Sequence, residues 1–399
     1  MSVGVAPNRV ADSDPRRLAA ATARRFAAAV DAENRFPVEA VDVLRDGGLL
    51  GLLVPSSLGG GGGTLSDACA IAAELASGCL STGLIWAMHS QQVLIMADHG
   101  ADQWSEALSS IARRGLLVAS ATSEPGKSGL LLRARAPLVP VARGVRIERA
   151  SPFVSYGAEA EWFLVTMRGD SSAAETDARY VLLEREEGEV IGDWRAMGMR
   201  GTRSVPMRFD ATVPAERILR GDFRDVAAVS AVPAAHLGWS SAWYGAAKGA
   251  LERFVHLIRE GGASERRRLA SDLFLTRLGE ARLGLDLMHA MLARLTDRYE
   301  QMRAASAPPA AYRQAAWTIA LNGLKVACSR QAYEVVDALV TMGGLARGYV
   351  QDEELALERT LRDLRSAALM VGNHQLLQLN AQQIIFGSGS TEKGDARTL

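Results

Sequence analysis

Residues 115–225 alternate apolar and polar side chains with a period of two, within a chain that is otherwise rich in Ala and Leu. The alternation is clearest in Gly144–Arg149 and in Val205–Pro214. A period of two is typical of strands, whereas the flanking segments repeat apolar residues at helical spacing. The pattern predicts an α+β fold, mainly α: an N-terminal helical domain over 1–114, a small β-barrel-like domain over 115–225 and a C-terminal four-helix bundle over 226–399.

Proline and glycine pairs divide the last part of the chain into long amphipathic segments. They lie at Pro308-Pro309, at Gly343-Gly344 and, as a single glycine, at Gly372. Proline cannot continue a helix, and glycine readily adopts the left-handed conformation beyond a helix end. The short connections predict an antiparallel bundle. Its predicted helices are Ala234–Arg259, Arg266–Arg303, Ala310–Met342 and Glu353–Val371, followed by a short helix over Gln375–Ile385.

Composition excludes several classes of function. Lys plus Arg and Asp plus Glu number 45 each, so the chain lacks the basic excess that nucleic-acid binding requires. No apolar run approaches the roughly 18 residues needed to span a bilayer, and the first residues lack the apolar core of a signal peptide. The three cysteines show no metal-ligand spacing, so we expect no metal site and a reducing, cytoplasmic location.

Six short motifs follow one another in a defined order. They are Ser123–Gly126, Phe153–Gly157, Met197–Thr202, Phe209–Glu216, Gly343-Gly344 and Arg362-Asp363. Together with the helix–strand–helix order, they resemble the acyl-CoA dehydrogenase superfamily over nearly the whole chain, from about Asp14 to Gly387. The resemblance implies a flavin-dependent oxidoreductase that holds FAD between the β domain and the bundle.

The resemblance also assigns residues to the isoalloxazine ring of the flavin. Ser123 is expected on the N1 and O2 side, Ser155 near N5, and Phe153 on the face of the ring, where the family usually has Trp. Hydrogen-bond donors near N1, O2 and N5 stabilise the reduced, electron-rich ring. From the residues alone, Ser123 is equally a turn residue before Pro125, and Phe153 a core aromatic.

The rest of the cofactor is matched less closely. Ser128 is expected at the pyrophosphate or the substrate, and Arg266, Gly343 and Gly344 on the adenine side. Val340 stands where the family has a Gln in this second element. The resemblance therefore implies FAD with altered adenine-side contacts, and an exchangeable flavin, including FMN, is an alternative.

The carboxylate base that removes the α-proton of an acyl thioester is missing from both family positions. Val371 occupies one and Trp239 the other. His236, one helical turn before Trp239, is the surrogate base that we consider, against an ordinary helix histidine. Asn373 is a substrate contact or a helix cap, and His89 is a polar lining residue of the substrate pocket or a packing residue.

Three functions remain open at this stage. The first is an FAD-dependent dehydrogenase-like enzyme acting on an acyl thioester, carried by CoA or a carrier protein, or on a related specialised metabolite. The second is a flavin-dependent monooxygenase or oxidase that uses reduced flavin and O₂ and needs no α-proton base. The third is a catalytically silent flavin- or acyl-binding scaffold. The expected partners are a second copy or more of the chain, as a homodimer or homotetramer, and a flavin reductase or an electron-transfer protein.

Overall fold

The computed structural model describes residues 14–126, 133–263 and 267–386. Helices occupy both ends of this part of the chain, and two small sheets lie between them. The helices are α1 Pro15–Ala32, α2 Val38–Asp46, α3 Leu65–Gly78, α4 Leu80–His99, α5 Ser105–Arg114, α6 Phe223–Val226, α7 Val232–Glu260, α8 Asp272–Ala304, α9 Pro309–Tyr312, α10 Ala315–Gly344, α11 Leu357–Leu364 and α12 Asn373–Phe386.

The first sheet has three strands in the order β1-β4-β5, and the second has four antiparallel strands in the order β2-β3-β7-β6. The strands are β1 Val118–Ala121, β2 Val139–Val141, β3 Gly144–Val154, β4 Trp162–Arg168, β5 Ala178–Glu184, β6 Gly188–Val190 and β7 Val205–Val213. The two sheets pack against each other through Phe163 and Phe209, whose ring centroids lie 5.2 Å apart. Alternate residues of β3 are buried and exposed, as the period of two predicts.

Helix α7 packs tightly against the N-terminal helix α3. A Cβ atom on Gly245 would lie 2.1 Å from the carbonyl oxygen of Ala73, and one on Gly249 would lie 2.4 Å from that of Ser77. Only glycine allows two helix backbones to approach this closely. The N-terminal helices and the bundle therefore share one continuous hydrophobic core.

The predicted helix Glu353–Val371 is wrong. Helix α11 spans only Leu357–Leu364, and a run of turns separates it from α12, which begins at Asn373. Val371 is the last but one residue of this run of turns and has φ +52°, a left-handed conformation that is unfavourable for a β-branched residue. The apolar spacing continued through the turns, so it gave no signal of the break.

All three cysteines are buried. Burial raises the pKa of Cys69 and Cys328 to about 12, and it also raises the pKa of Cys79. Within the described residues, no helix has the length and apolarity that a membrane crossing requires. Across the same residues, His, Cys, Asp and Glu side chains form no group of three suited to a metal ion.

Candidate functional site

The turn after β1 is fastened to the second sheet by its serine and its glutamate. The Ser123 hydroxyl donates to the Phe153 carbonyl oxygen at 2.9 Å and accepts from the Phe153 amide at 3.3 Å. The buried Glu124 carboxylate accepts from the amides of Arg135 and Ala136 at 2.9–3.2 Å. Ser123 and Phe153 are thus brought together, and the serine hydroxyl is used within the protein. The Ser123 amide has no partner among the described residues and remains available to a ligand.

A β-bulge turns Phe153 outward. Ser151 pairs with Met207 and Val154 with Val205, so β3 carries one residue more than β7 between these pairs. Bulges redirect side chains in this way. The Phe153 side chain is 60% exposed although it belongs to the second sheet. Its ring meets the edge of Trp194, with centroids 6.2 Å apart, which leaves an apolar aromatic surface open beside Ser123.

A buried arginine supports this turn from behind. Arg149 is only 3% exposed and donates to the Ser123 carbonyl oxygen at 2.9 Å and to the Thr166 hydroxyl at 2.9 Å. The Ser151 hydroxyl donates to the same carbonyl oxygen at 3.1 Å. Burial lowers the pKa of Arg149 to about 10, while the charge of Glu124 opposes that shift. The guanidinium remains charged at neutral pH.

Three hydroxyl groups form a row that begins at Ser155. Its oxygen lies 3.0 Å from that of Ser204, which lies 2.9 Å from that of Thr202. The Thr202 hydroxyl donates to the Met199 carbonyl oxygen at 2.8 Å. Thr202 and Ser204 are buried, whereas Ser155 is half-buried and forms the accessible end of the row.

The Met197–Thr202 loop, which carries the inner end of this row, is anchored to helix α11. Arg362 donates to the Met197 carbonyl oxygen at 2.9 Å, and the Met199 amide donates to the Asp363 carboxylate. A Cβ atom on Gly198 would lie 2.3 Å from the Arg362 carbonyl oxygen, so glycine is required there. Burial raises the pKa of Asp363 to about 6. We call the part of the two sheets that presents Ser123, Phe153 and Ser155 the β-wall. The Met197–Thr202 loop therefore joins the β-wall to the helix that precedes Val371.

Val371 is held by a buried lysine that the sequence reasoning missed. The Lys325 ammonium donates to the Val371 carbonyl oxygen at 2.7 Å and to the Asn373 side-chain oxygen at 2.8 Å. It also lies 5.7 Å from the centre of the Trp243 ring, within the range of a cation–π contact. Lys325 is 0% exposed, and no carboxylate of the described residues forms an ion pair with it. Burial lowers its pKa to about 7.

His236 lies on the face of α7 that approaches Lys325. Burial, and then the Lys325 charge, lower the pKa of His236 to about 3, although its bond to the Leu321 carbonyl opposes the shift. The imidazole is therefore neutral at neutral pH and a weaker base than an ordinary histidine, and its role as surrogate base stays a prediction. Its Nδ1 and the indole nitrogens of Trp239 and Trp243 lack hydrogen-bond partners among the described residues.

Two further predicted contacts are engaged within the protein. The Asn373 side chain accepts from Lys325 through its oxygen and donates to Ser329 at 2.9 Å through Nδ2. Asn373 is the first residue of α12 and does not cap a preceding helix. His89 is 1% exposed; its Nε2 lies 2.8 Å from the Leu50 carbonyl oxygen and its Nδ1 accepts from the Val118 amide at 3.1 Å. Both ring nitrogens of His89 are therefore used in packing.

The glycines expected on the adenine side lie at the end of α10. Gly344 has φ +66°, and a Cβ atom on Gly343 would lie 2.9 Å from the Gly348 amide nitrogen. Arg268 donates to the Met342 carbonyl oxygen at 2.7 Å, so this arginine lies near the two glycines. Arg266 and Ser128 lie outside the described residues.

Comparison with known proteins decides the family. Residues 11–115 match the N-terminal domain of acyl-CoA dehydrogenase, and residues 237–375 match its C-terminal domain, so the two matches cover more than half of the chain. The chain belongs to the acyl-CoA dehydrogenase superfamily. The predicted family and the mainly helical fold are confirmed.

The relatives of this acyl-CoA dehydrogenase family member are named for different activities. Cyclohex-1-ene-1-carbonyl-CoA dehydrogenase of Syntrophus aciditrophicus (strain SB) is 26% identical over 94% of this chain and 88% of the relative. Amino sugar nitrososynthase DnmZ of Streptomyces peucetius is 26% identical over 85% of this chain and 84% of the relative. The expectation of an enzyme is confirmed.

A solved structure shares the fold of this family member. FMN-bound TdsC from Paenibacillus sp. A11-2 superposes with a TM-score of 0.81 and 20% identity, covering 93% of this chain and 96% of TdsC. At this identity the likeness concerns the fold alone.

Two buried cations of this acyl-CoA dehydrogenase family member, Arg149 and Lys325, can be recognised from their positions in the sequence pattern. Arg149 falls on an inward position of the β3 alternation, after Val145 and Ile147. Lys325 falls between Leu321 and Cys328 on the buried stripe of α10. A charged residue on an inward position requires partners, which makes it a candidate for a site. Ser204 and Thr202 carried no comparable signal.

Proposed function

We propose that this chain is a flavin-dependent monooxygenase that binds reduced flavin and transfers oxygen to a small organic substrate. When bound, reduced flavin supplies two electrons to O₂, so that one oxygen atom enters the substrate and the other leaves as water. The name of the nitrososynthase relative supports a nitrogen-bearing substrate such as an amino sugar. A separate flavin reductase is the partner that this reaction requires.

The observation that carries the proposal is the replacement of the base. Val371 stands at the family position of the carboxylate, and its carbonyl group is bound by the Lys325 ammonium at 2.7 Å. Trp239 stands at the alternative position. Dehydrogenation of an acyl thioester needs a proton acceptor within hydrogen-bond reach of the α-carbon, and oxygen transfer does not.

The residues of the β-wall suit a flavin ring. Phe153 offers an exposed aromatic face, the Ser123 amide is an available donor, and Ser155 offers a half-buried hydroxyl. On the bundle side, the unpartnered His236 Nδ1 is an acceptor, which the N–H of an amine can satisfy. These residues hold and orient the two ligands, while the apolar packing around Trp239 excludes water.

A titration tests the proposal. The chain is mixed anaerobically with FMN or with FAD, each oxidised or reduced with dithionite, and binding is followed by flavin fluorescence. The reduced complex is then exposed to O₂ with an amino sugar nucleotide, and oxygen uptake and product mass are measured. We expect binding and an oxygenated product. Failure to bind either flavin in either redox state contradicts the proposal.

A matched pair of substitutions tests the flavin face. Phe153→Ala should weaken flavin binding about tenfold or more, because it removes the exposed ring. Leu287→Ala removes a side chain that is also 60% exposed, but on α8, and should leave flavin affinity unchanged. Equal affinity for the two variants would place the flavin elsewhere.

A second candidate function is dehydrogenation of an acyl thioester with Lys325 as the base. It is favoured by the dehydrogenase relative and by the pKa of Lys325, about 7, which leaves a neutral amine available beside Val371. Anaerobic bleaching of oxidised flavin by an acyl-CoA, lost in Lys325→Met, would support it. Absence of bleaching in both the natural chain and Val371→Glu counts against any thioester substrate.

A further inference from the structure

The direction of every hydrogen bond in the row from Ser155 to Thr202 follows from its inner end. The Met199 carbonyl can only accept, so the Thr202 hydroxyl uses its one hydrogen to reach it at 2.8 Å. Thr202 therefore accepts from Ser204 at 2.9 Å, and Ser204 accepts from Ser155 at 3.0 Å. The Ser155 hydrogen is used inward, and only lone pairs of its oxygen face outward.

The opposite direction is unfavourable. If the Thr202 hydrogen turned towards Ser204, lone pairs of the Thr202 hydroxyl oxygen and of the Met199 carbonyl oxygen would face each other at 2.8 Å. Water does not relieve this contact, because Thr202 is 3% and Ser204 7% exposed. No other described residue hydrogen-bonds the side chains of Ser155 or Ser204. The row therefore has one favoured arrangement of its hydrogens.

We infer that Thr202 and Ser204 are positioning residues that make the Ser155 hydroxyl a hydrogen-bond acceptor, so that the site selects reduced over oxidised flavin. This inference rests on the proposed function and on the family resemblance, which implies that Ser155 lies near N5 of the flavin. Reduced flavin carries a hydrogen on N5 and can donate to Ser155. Oxidised flavin has only a lone pair at N5, which the Ser155 lone pairs repel.

The selection suits an enzyme that receives its flavin already reduced. The Ser155 hydroxyl would accept a hydrogen bond from N5–H of reduced flavin. After oxidation, its lone pairs would repel the lone pair on N5, which favours release. Because one hydrogen bond to a fixed group changes affinity by about tenfold, we expect reduced flavin to bind roughly tenfold more tightly than oxidised flavin.

Two conservative variants test the direction of the row. In Ser204→Ala the Ser155 hydrogen has no inward acceptor and turns to the ligand. In Thr202→Val the Ser204 hydrogen turns to Ser155, which again releases the Ser155 hydrogen. Both should lower the reduced-to-oxidised affinity ratio about tenfold, measured by anaerobic fluorescence titration of FMN and of FAD. Thr202→Val acts two hydrogen bonds away from Ser155 and three from the flavin, so local loss of packing does not explain the same change.

Two controls complete the experiment. Thr360→Val removes another buried threonine hydroxyl that donates to a carbonyl at 2.7 Å, and it should leave the ratio unchanged. In a Ser155→Ala background, Ser204→Ala should have no further effect on the ratio. Binding of flavin with the natural ratio in Ser204→Ala and Thr202→Val overturns the inference and leaves the proposed function intact. Failure of the natural chain to bind any flavin overturns both.

Discussion

Two buried cations support the two sides of the candidate site, and they differ in how firmly they hold their charge. Arg149 binds the Ser123 carbonyl in the β-wall at 2.9 Å, and Lys325 binds the Val371 carbonyl in the bundle at 2.7 Å. Both side chains are inaccessible to solvent, and neither forms an ion pair with a described carboxylate.

The difference lies in the pKa values. Arg149 keeps a pKa of about 10, whereas Lys325 falls to about 7. Guanidinium delocalises its charge and is weakly hydrated, so it tolerates burial better than a compact ammonium does. The β-wall is thus held by a permanent charge, while the grip on Val371 changes with pH in the neutral range. In the proposed function, the support of the flavin side therefore stays charged, whereas the support of the substrate side can lose its charge near neutral pH.

The largest expected effect comes from removing the permanent cation. Arg149→Met should lower the free energy of unfolding by about 3 kcal/mol, because it leaves the Ser123 carbonyl and the Thr166 hydroxyl buried with fewer partners. Chemical denaturation measures this loss, and flavin titration should show weaker binding. Arg149→Lys keeps the charge but not the planar guanidinium, so its free energy of unfolding should lie between those of wild type and Arg149→Met. An unchanged denaturation midpoint in Arg149→Met would show that Arg149 does not stabilise the β-wall.

The second effect is a pH dependence. The pKa of Lys325 is about 7 in the folded chain and about 10.4 when unfolded, so the unfolded chain binds more protons between these values. The free energy of unfolding therefore rises with pH across this window, by an amount on the order of 1 kcal/mol per unit. Wild type should gain stability relative to Lys325→Met between pH 7 and about pH 9.

The comparison of the two cations supplies the control for this experiment. The pKa of Arg149 lies at about 10, so between pH 7 and about pH 9 wild type should gain no stability relative to Arg149→Met, which keeps Lys325. Parallel pH profiles of wild type and Lys325→Met in denaturant titrations would show that Lys325 does not titrate in the neutral range.

The smallest effect concerns the strained residue that Lys325 holds. Val371 has φ +52°, so Val371→Gly should raise the free energy of unfolding by about 1 kcal/mol through relief of strain. Val371→Ala keeps a Cβ atom and should show little or no gain. A loss of stability in the glycine variant would mean that packing of the valine side chain outweighs the strain.

Local sequence patterns predicted the segments of the fold well. Asp14 caps α1 through the Arg16 amide at 3.0 Å, with Pro15 at the first helical position. The alternation over β3 predicted its buried face. These features depend on neighbouring residues, so they can be seen in the sequence.

Features that depend on distant residues could not be predicted in this way. The turn before Asn373 is stabilised by Lys325, which lies 46 residues away in the sequence and binds the Val371 carbonyl. The row of hydroxyls depends on the contact between Ser155 and Ser204, which lie 49 residues apart in the sequence. In both cases tertiary contacts decide the local conformation. The periodicity of the surrounding residues is unaffected by them.

The three buried cysteines allow the rates of local opening in two regions of the chain to be compared. Thiolate is the reactive form, and burial raises the pKa of all three thiols, so alkylation requires local opening. Cys328 lies one turn from Lys325 in α10, whereas Cys69 and Cys79 lie in the N-terminal helical region. Alkylation rates at these positions, read by mass spectrometry, would measure how often the bundle opens compared with the N-terminal helices, without an introduced probe.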